Sequence, residues 1–421
     1  MTSVLLVSQH FTPEISANAS RVSDVARVLV RHSREVSVLC PFPTLPFGRF
    51  LNGSAIREHS SVDGAEVHNI WSWRPLGSNP HVLSRLAFFG TFGLLAVLWC
   101  LLFGSKYSVV ITSTPPLSTA FPGLVAKKIL GVPWIVDYRD HWVAASVDIG
   151  LVRKRSLLAK IGTLLERTIL SEADAVFVVH RSMVDVLAKV SGSSDTSRFV
   201  VLPNSVDTSL FRPGGRAKKR RLIFSGNIGL AYDFQNLIRA MPAIAKRHGV
   251  KLLILGDGNA REQVESFIQT SGLSWCASVR PPVSRADLPR IVSESLLGVS
   301  PGKELESLDC AIPMKVLEYM ACGVPFVACG GSATRDLASE SNAGLVVSND
   351  VPPLVEAMSA LLDDPDGMQR MGENGRGFIS DNYETGKLGE VAVSAIEKLV
   401  RGTKASASAL TSKTTPFHPI S

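Results

Sequence analysis

Residues Ile312 to Gly331 read IPMKVLEYMACGVPFVACGG. Pro313 suits the first turn of a helix, where its missing N–H costs nothing. Gly323 stands where that helix would close in the left-handed conformation. Val316, Leu317 and Met320 recur at helical spacing, and Val324 to Ala328 then read as a short buried strand. A helix seated this tightly against a strand still carries Lys315 and Glu318 in its first turns. A charge there is costly without a partner. Either the two residues form a solvated outer face, as most charged residues do, or the helix start faces a ligand cleft.

The same alternation of short apolar runs and helical patterns extends along the chain. Strands are expected at Ser3–Ser8, Glu35–Leu39, Val67–Ile70, Val109–Thr112, Trp134–Asp137, Ala175–Val179 and Phe199–Leu202, with a helix near Ala19–Arg31. After a looser basic segment the pattern restarts. Strands are expected at Leu222–Ser225, Leu252–Leu255, Val279–Arg280, Leu297–Ser300, Pro325–Ala328 and Gly344–Val347. Helices fall near Asp233–His248, Ala260–Ser271, Pro313–Cys322 and Val351–Asp363. This is the pattern of an α/β protein whose parallel sheets are covered on both faces. Two doubly wound, Rossmann-like domains follow: residues 1–205, a linker at 206–220, and residues 221–402, with a disordered tail at 403–421 rich in Ser, Thr, Lys and Ala. Two such halves form a cleft at the C-terminal ends of their strands.

The 421 residues allow two large cores, since 45% of them are hydrophobic, and the net charge is +7. Basic clusters occur at Arg153–Arg155 and at Arg216, Lys218, Lys219, Arg220 and Arg221. They suit anionic lipid or nucleotide phosphates. Few aromatic residues accompany them and no nucleic-acid motif is visible, so nucleic acid is not expected as a partner. Six cysteines without a C-x-x-C pair read as buried free thiols rather than a disulfide frame or a metal site. The start, MTSVLLVSQHF, lacks the basic opening of a signal peptide. Residues 86–105, LAFFGTFGLLAVLWCLLFGS, run 20 residues without a charge between Arg85 and Lys106. Length and apolarity allow a membrane span, and a buried core helix also fits. The next strand, YSVVITSTPP, belongs in the same sheet as the first one. That favours a helix lying at, or dipping into, one face of a membrane.

Chemistry is expected just after the strands. Gly226, Asn227, Ile228 and Gly229 form one glycine turn, and Gly256, Asp257, Gly258 and Asn259 another. Each is either an ordinary tight turn or a place where free backbone N–H groups hold an anion. Pro313, Met314 and Lys315 put a helix N-terminus at the same edge, suited to phosphate. Glu318 lies one turn on, on the side of Lys315, where a carboxylate accepts hydrogen bonds from ribose hydroxyls. In the first half, VDYRDHW brings Arg139, Asp140 and His141 to a strand end. Arg139 and Asp140 are a cleft pair or a simple salt bridge. His180 follows the strand AVFVV, and Asn18 lies in the ISANASR loop, as a helix cap or with its backbone at a bound diphosphate.

Taken together, PMKVLEYMACGVPFVA, FSGNIG, LILGDGNARE, LPNSVDTSLF and HFTPEISANASRV resemble, in the same order, the retaining GT-B glycosyltransferases of family four, in the bacterial surface-polysaccharide subgroup. The resemblance covers residues 1 to about 400. It implies a nucleotide-sugar donor, UDP-linked by the habit of the subgroup. It also implies a lipid-linked acceptor, retention of anomeric configuration, no metal and no cofactor. By the same resemblance Lys315, Asp140, Arg139 and His180 fall in catalytic places. Asn18, Gly226, Asn227, Gly229, Gly256, Asp257, Lys303, Pro313, Met314 and Glu318 fall in donor-binding ones. The chain departs from the family at two points. Counting back along E-x7-E from Glu318 gives Cys310 where the family has a sugar-facing Glu; Asp309, Glu304 and Glu306 lie nearby. The stretch GLAYDFQN lacks the Arg and Lys that hold the diphosphate in relatives, which leaves Lys315 and Lys303 to do so.

The expected function is thus a hexosyl- or N-acetylhexosaminyl-transferase of surface polysaccharide synthesis. It is expected on the cytoplasmic face of the inner (plasma) membrane, as a peripheral or monotopic protein. The alternatives are a nucleotide-sugar epimerase of GT-B type, which would need acidic groups around the sugar, and a non-catalytic binding protein, motivated by the missing first Glu.

Overall fold

Strands β1 (Ser3–Ser8), β2 (Glu35–Pro41), β3 (Arg57–Val62), β4 (Ala65–Ile70), β5 (Val109–Thr114), β6 (Trp134–Tyr138), β7 (Ala175–Val178) and β8 (Phe199–Val201) build the first sheet. The computed structural model describes residues 2–32, 34–45, 55–75, 81–215, 217–305 and 309–411. Arg216, Glu306 and residues 412–421 therefore lie outside the described residues. Among the described residues the sheet has eight strands in the order β3-β4-β2-β1-β5-β6-β7-β8, parallel except for β3 against β4. Strands β9 (Arg221–Asn227), β10 (Lys251–Asp257), β11 (Ala277–Arg280), β12 (Leu297–Pro301), β13 (Phe326–Cys329) and β14 (Gly344–Val347) form a second, all-parallel sheet, ordered β11-β10-β9-β12-β13-β14. The apolar runs that flag the strands are buried on both faces, as covered parallel sheets require. Strand β3, REHSSV, has no such run because it is a mostly exposed edge strand, and the hydrophobic pattern does not reveal it.

The chain order reverses between β1 and β5 and again between β9 and β12. Both reversals open crevices at the C-terminal strand ends, where open α/β sheets bind ligands.

Three expectations about chain organisation are corrected. The segment after β8 is not loose: Val206 and Phe211 are fully buried in the second domain's core, and the Asp207 carboxylate accepts the Ser209 and Leu210 N–H groups at 3.0 and 3.2 Å. Arg376 pins it further by donating to the carbonyls of Thr208, Phe211 and Ala321. The last helix, Thr385–Thr411, is helical through residues 403–411, where a tail was expected. It also belongs to the first domain. Ala392, Val393, Ile396 and Val400 join Val22, Ala26 and Leu29 of the helix Ala17–Arg31 in one core cluster. A side chain at Gly389 would collide with Val28 at 2.0 Å. Apolar spacing marks this helix, but spacing cannot say which sheet it covers.

The apolar segment forms the helix Val82–Phe103. Phe92, Ala96, Trp99 and Cys100 are buried against Leu5 and Val7 of β1 and Val110 of β5, and Phe88 is buried as well. Its other side exposes Leu83, Leu94, Leu98 and Leu102, between 48% and 74%. The helix is thus half core and half bare. All six cysteines are free thiols, five of them buried and Cys310 partly so.

Candidate active site

Lys315 and Glu318 lie on the short helix Met314–Ala321, which is capped by Pro313 and packed into the core by Val316, Leu317, Tyr319 and Met320. Pro313 is the cap itself rather than the first helical residue. Both charges are nearly buried, with 7% and 6% exposure. The Lys315 ammonium donates to the Tyr232 hydroxyl at 2.5 Å and sits 4.7 and 4.2 Å from the ring centroids of Phe224 and Tyr232. Among the described residues no carboxylate lies within ion-pair reach of it. A buried cation held by a phenol and two ring faces is short of counter-charge. The space before it is kept open by glycine: a side chain at Gly226, whose φ is +120°, would meet the Lys315 stem at 3.6 Å. Gly256 in turn sits on Gly226, where a Cβ would fall 1.8 Å from its carbonyl oxygen.

The remaining donor-side residues are distributed around this point. Asn227 ends β9, and its amide nitrogen lies 2.6 Å from where a Gly229 side chain would begin. Asp257 uses its carboxylate on its own turn, accepting the Gly258 N–H at 2.9 Å, with Arg261 at 3.8 Å. The Lys303 backbone donates to the Ala231 carbonyl at 2.9 Å and its residue is exposed. Met314 is half-buried. Asn18 lies in the first turn of the helix Ala17–Arg31, and the cap is Ser16, which accepts the Ala19 N–H at 3.1 Å.

Glu318 meets a residue that the motifs do not mark. Arg285 donates to Glu318 Oε1 at 3.2 Å, and its guanidinium stacks 5.0 Å from the Phe211 ring. Its other terminal nitrogen, Nη2, is buried without a partner. Burial raises the Glu318 carboxyl above the ordinary carboxylate range, and Arg285 and Lys315 pull it back down. The field of Asp24 also reaches Glu318, although Asp24 belongs to the first domain. Asp24 is buried and raised by that burial, with Arg285 and Arg27 opposing it, and its Oδ2 lacks a partner. Arg285 is therefore held by Glu318 and Phe211 of the second domain while its field reaches Asp24 of the first. It sits in a loop, PVSRAD, with no periodicity to single it out; Tyr232, in GLAYDFQN, gave no signal either.

On the opposite wall, the sequence reading of Arg139 is corrected. Its guanidinium is buried and donates to the carbonyls of Thr114 and Pro115 at 2.9 and 3.3 Å, so it holds the strand end rather than facing a substrate. Beside it, Arg21 grips Asp137 through several hydrogen bonds of 2.7 to 3.1 Å and donates to the Leu202 and Pro203 carbonyls. Burial would raise Asp137, but Arg21 overrides it and holds the carboxyl below its usual range. Asp140 is half-buried; burial raises it, against Arg139 and Arg21. It makes no hydrogen bond or ion pair among the described residues. His180 accepts the Ser182 N–H on Nδ1 at 3.3 Å, which leaves the proton on Nε2. Burial lowers its pKa, and Asp336 and Glu340 of the second domain pull the other way. His141 caps the helix Trp142–Asp148, 3.7 Å from Glu166. Cys310, in the place of the family's Glu, packs against the first domain's core cluster.

Lys315, Gly226 and Gly256 thus come together with Glu318 one turn on along the helix, Asp140 and His180 lie just past strand ends of the other domain, and Cys310 reaches across to that domain's core cluster. This arrangement can hold a diphosphate at Lys315, hydroxyls at Glu318 and a sugar between the walls.

Comparison with known proteins bears on the family and the fold. Residues 18–205 match the family described as "Glycosyl transferase 4-like domain", and residues 219–364 match "Glycosyl transferases group 1". A GDP-mannose-dependent monoacylated alpha-(1-6)-phosphatidylinositol monomannoside mannosyltransferase of Corynebacterium glutamicum is 26% identical over 277 residues, 61% of this chain and 68% of that one. Sucrose-phosphate synthase of Thermosynechococcus elongatus superposes with a TM-score of 0.73 at 16% identity, over 96% of this chain and 100% of the other. HepE of Anabaena in complex with UDP-glucose gives a TM-score of 0.66 at 15% identity, over 95% and 100%.

Proposed function

We propose that this chain, which belongs to the group 1 glycosyltransferases of GT-B fold and uses a nucleotide-sugar donor, transfers a hexose or N-acetylhexosamine with retention to a lipid-linked saccharide. The observation that carries the donor half is the buried Lys315 ammonium without a carboxylate partner. A nucleotide diphosphate supplies the missing counter-charge, and its charge grows as the sugar leaves. A fixed cation at that place stabilises the transition state more than the ground state. Glu318 accepts the ribose hydroxyls through the oxygen that Arg285 leaves free. The donor is UDP-linked in this reading, in keeping with the UDP-glucose complex of HepE.

With Cys310 in place of a carboxylate, no side chain is offered as a covalent nucleophile. The acceptor hydroxyl then attacks on the face that the leaving phosphate vacates, and that phosphate takes its proton. Asp140 and His180 line the acceptor wall and orient the incoming hydroxyl.

The lipid-linked acceptor rests on the bare side of the helix Val82–Phe103, which places an apolar stripe on the acceptor domain. In this reading the protein works on the cytoplasmic face of the inner membrane, in surface polysaccharide synthesis. The Corynebacterium relative is named for a lipid-borne acceptor.

The test is incubation with radiolabelled UDP- and GDP-sugars and a membrane lipid extract. Label passing into lipid, with the α-configuration of the donor kept in the product, supports the reading. Epimerised donor without transfer, or no turnover at all, overturns it.

A further inference from the structure

The helix Leu157–Glu172 turns an apolar face away from the core. Leu157, Leu158, Ile161 and Leu164 are 73%, 54%, 46% and 64% exposed. They recur at i, i+1, i+4 and i+7, one continuous stripe on a helix. The opposite face, with Ala159, Glu166, Ile169 and Leu170, is the one that packs inward. Leu151, in the turn before the helix, is a further 54% exposed.

Charge along this stretch of the chain has one sign. From Ile149 to Leu165 the chain has no Asp or Glu and four cations: Arg153, Lys154, Arg155 and Lys160. All four are exposed and have no ion pair among the described residues. Lys127 and Lys128, which flank the apolar helix in the fold, are by contrast spoken for by Asp174 and Glu172 at 2.7 and 2.6 Å.

The position of the stripe is set by topology. The connections β4 to β5, β5 to β6 and β6 to β7 all step the same way along the sheet. With right-handed crossovers their helices share one face of it. The turn Leu117–Ala120 packs against both the helix Val82–Phe103 and the helix Leu157–Glu172. The two bare apolar stripes therefore lie on the same side of the acceptor domain. The second begins near the cleft, since only Arg139, Asp140, His141, the helix Trp142–Asp148 and one loop separate it from the end of β6.

We propose that residues 151–164 are a second bilayer-contacting surface, whose cations sit on anionic phospholipid head groups while its leucines enter the interface. Exposed leucines on one helix face, with unpaired cations at Lys160 and in the turn just before the helix, are what an interfacial segment requires. A second copy of the chain fits poorly, because a two-fold contact would set four cations against four. With two contacts on one side, the domain cannot roll on the membrane. The acceptor wall of the cleft is then held toward the lipid. Only this last consequence rests on the lipid-linked acceptor reading above; the binding itself does not.

The test is flotation of the full chain with vesicles of phosphatidylcholine, alone or mixed with phosphatidylglycerol. Three proteins are compared: wild type, a quadruple Arg153→Ser/Lys154→Ser/Arg155→Ser/Lys160→Ser variant, and a Leu157→Ser/Leu158→Ser/Ile161→Ser/Leu164→Ser variant. Circular dichroism and UDP binding check that each folds. Wild type is expected to prefer phosphatidylglycerol vesicles, and the charge variant to lose that preference by several hundredfold, at roughly a factor of five per cation. The leucine variant is expected to keep that preference at low salt and to float less than wild type at high salt, where the helix Val82–Phe103 alone holds it. Variants that float like wild type overturn the proposal, and leave the helix Val82–Phe103 as anchor untouched. A wild-type dimer in solution that the variants dissociate overturns it in favour of a second copy.

Discussion

Replacing Glu318 with Gln separates donor binding from stability, because the two should move in opposite directions. The carboxyl is nearly buried and its pKa is raised, so ionising it costs the folded state. The sign follows from proton linkage. The folded state binds this proton more tightly than the unfolded chain, so stability falls as pH rises through the raised pKa. Gln carries no charge and keeps an amide oxygen for Arg285 at the same place. Unfolding by urea at about pH 8 should therefore give a midpoint equal to or above that of wild type, with the gap closing toward about pH 4, near the carboxylate's ordinary range. Donor affinity should fall. A ribose hydroxyl bound to a charged acceptor is worth about 1.5–3 kcal/mol, so the dissociation constant for UDP should rise by about 10- to 150-fold. Titration calorimetry measures the affinity. Unchanged affinity would refute the ribose role. A marked loss of stability would instead make Glu318 a structural partner of Arg285 alone.

Tyr232→Phe keeps the ring against Phe224 and removes only the hydroxyl that Lys315 donates to; turnover should fall by about 0.5–1.5 kcal/mol, roughly two- to tenfold, with the fold intact, and a normal kcat would show that the rings alone position the ammonium. Lys315→Ala should lower kcat by about a hundredfold or more, the scale of losing one fixed transition-state donor, whereas a raised KM at normal kcat would leave it a binding residue. Replacing the exposed Leu83, Leu94, Leu98 and Leu102 by Ser should release most of the protein from membranes at high salt, where the cationic contact at residues 151–164 is screened; retention equal to wild type at high salt would remove this helix as the anchor. Burial and the neighbouring His59, Arg57 and Lys106 push His68 down to about 4. Its contribution is full above the unfolded value and drains away as pH falls from about 6.5 toward 4. His68→Phe should therefore flatten the acid limb of the stability profile, and a pH profile identical to wild type would count against a neutral His68.

The order of elements, the two parallel sheets and the glycine turns at the strand ends were legible in the residues. Each depends on contacts a few positions apart: apolar runs, helix caps and turns whose backbone only glycine permits. The helix and strand of IPMKVLEYMACGVPFVACGG were legible too, and so was the need of its lysine and glutamate, one turn apart on a buried helix, for partners. Tertiary structure alone decided who those partners are. Tyr232 reaches Lys315 across 83 positions and Arg285 reaches Glu318 across 33, and no local pattern encodes such a meeting. It also turned Arg139 from a cleft residue into a brace for Thr114 and Pro115, because a guanidinium answers to whichever carbonyls surround it. It sent the last helix to the first domain for the same reason. Spacing shows that a helix has an apolar face, but only the folded chain shows which surface lies bare to receive it.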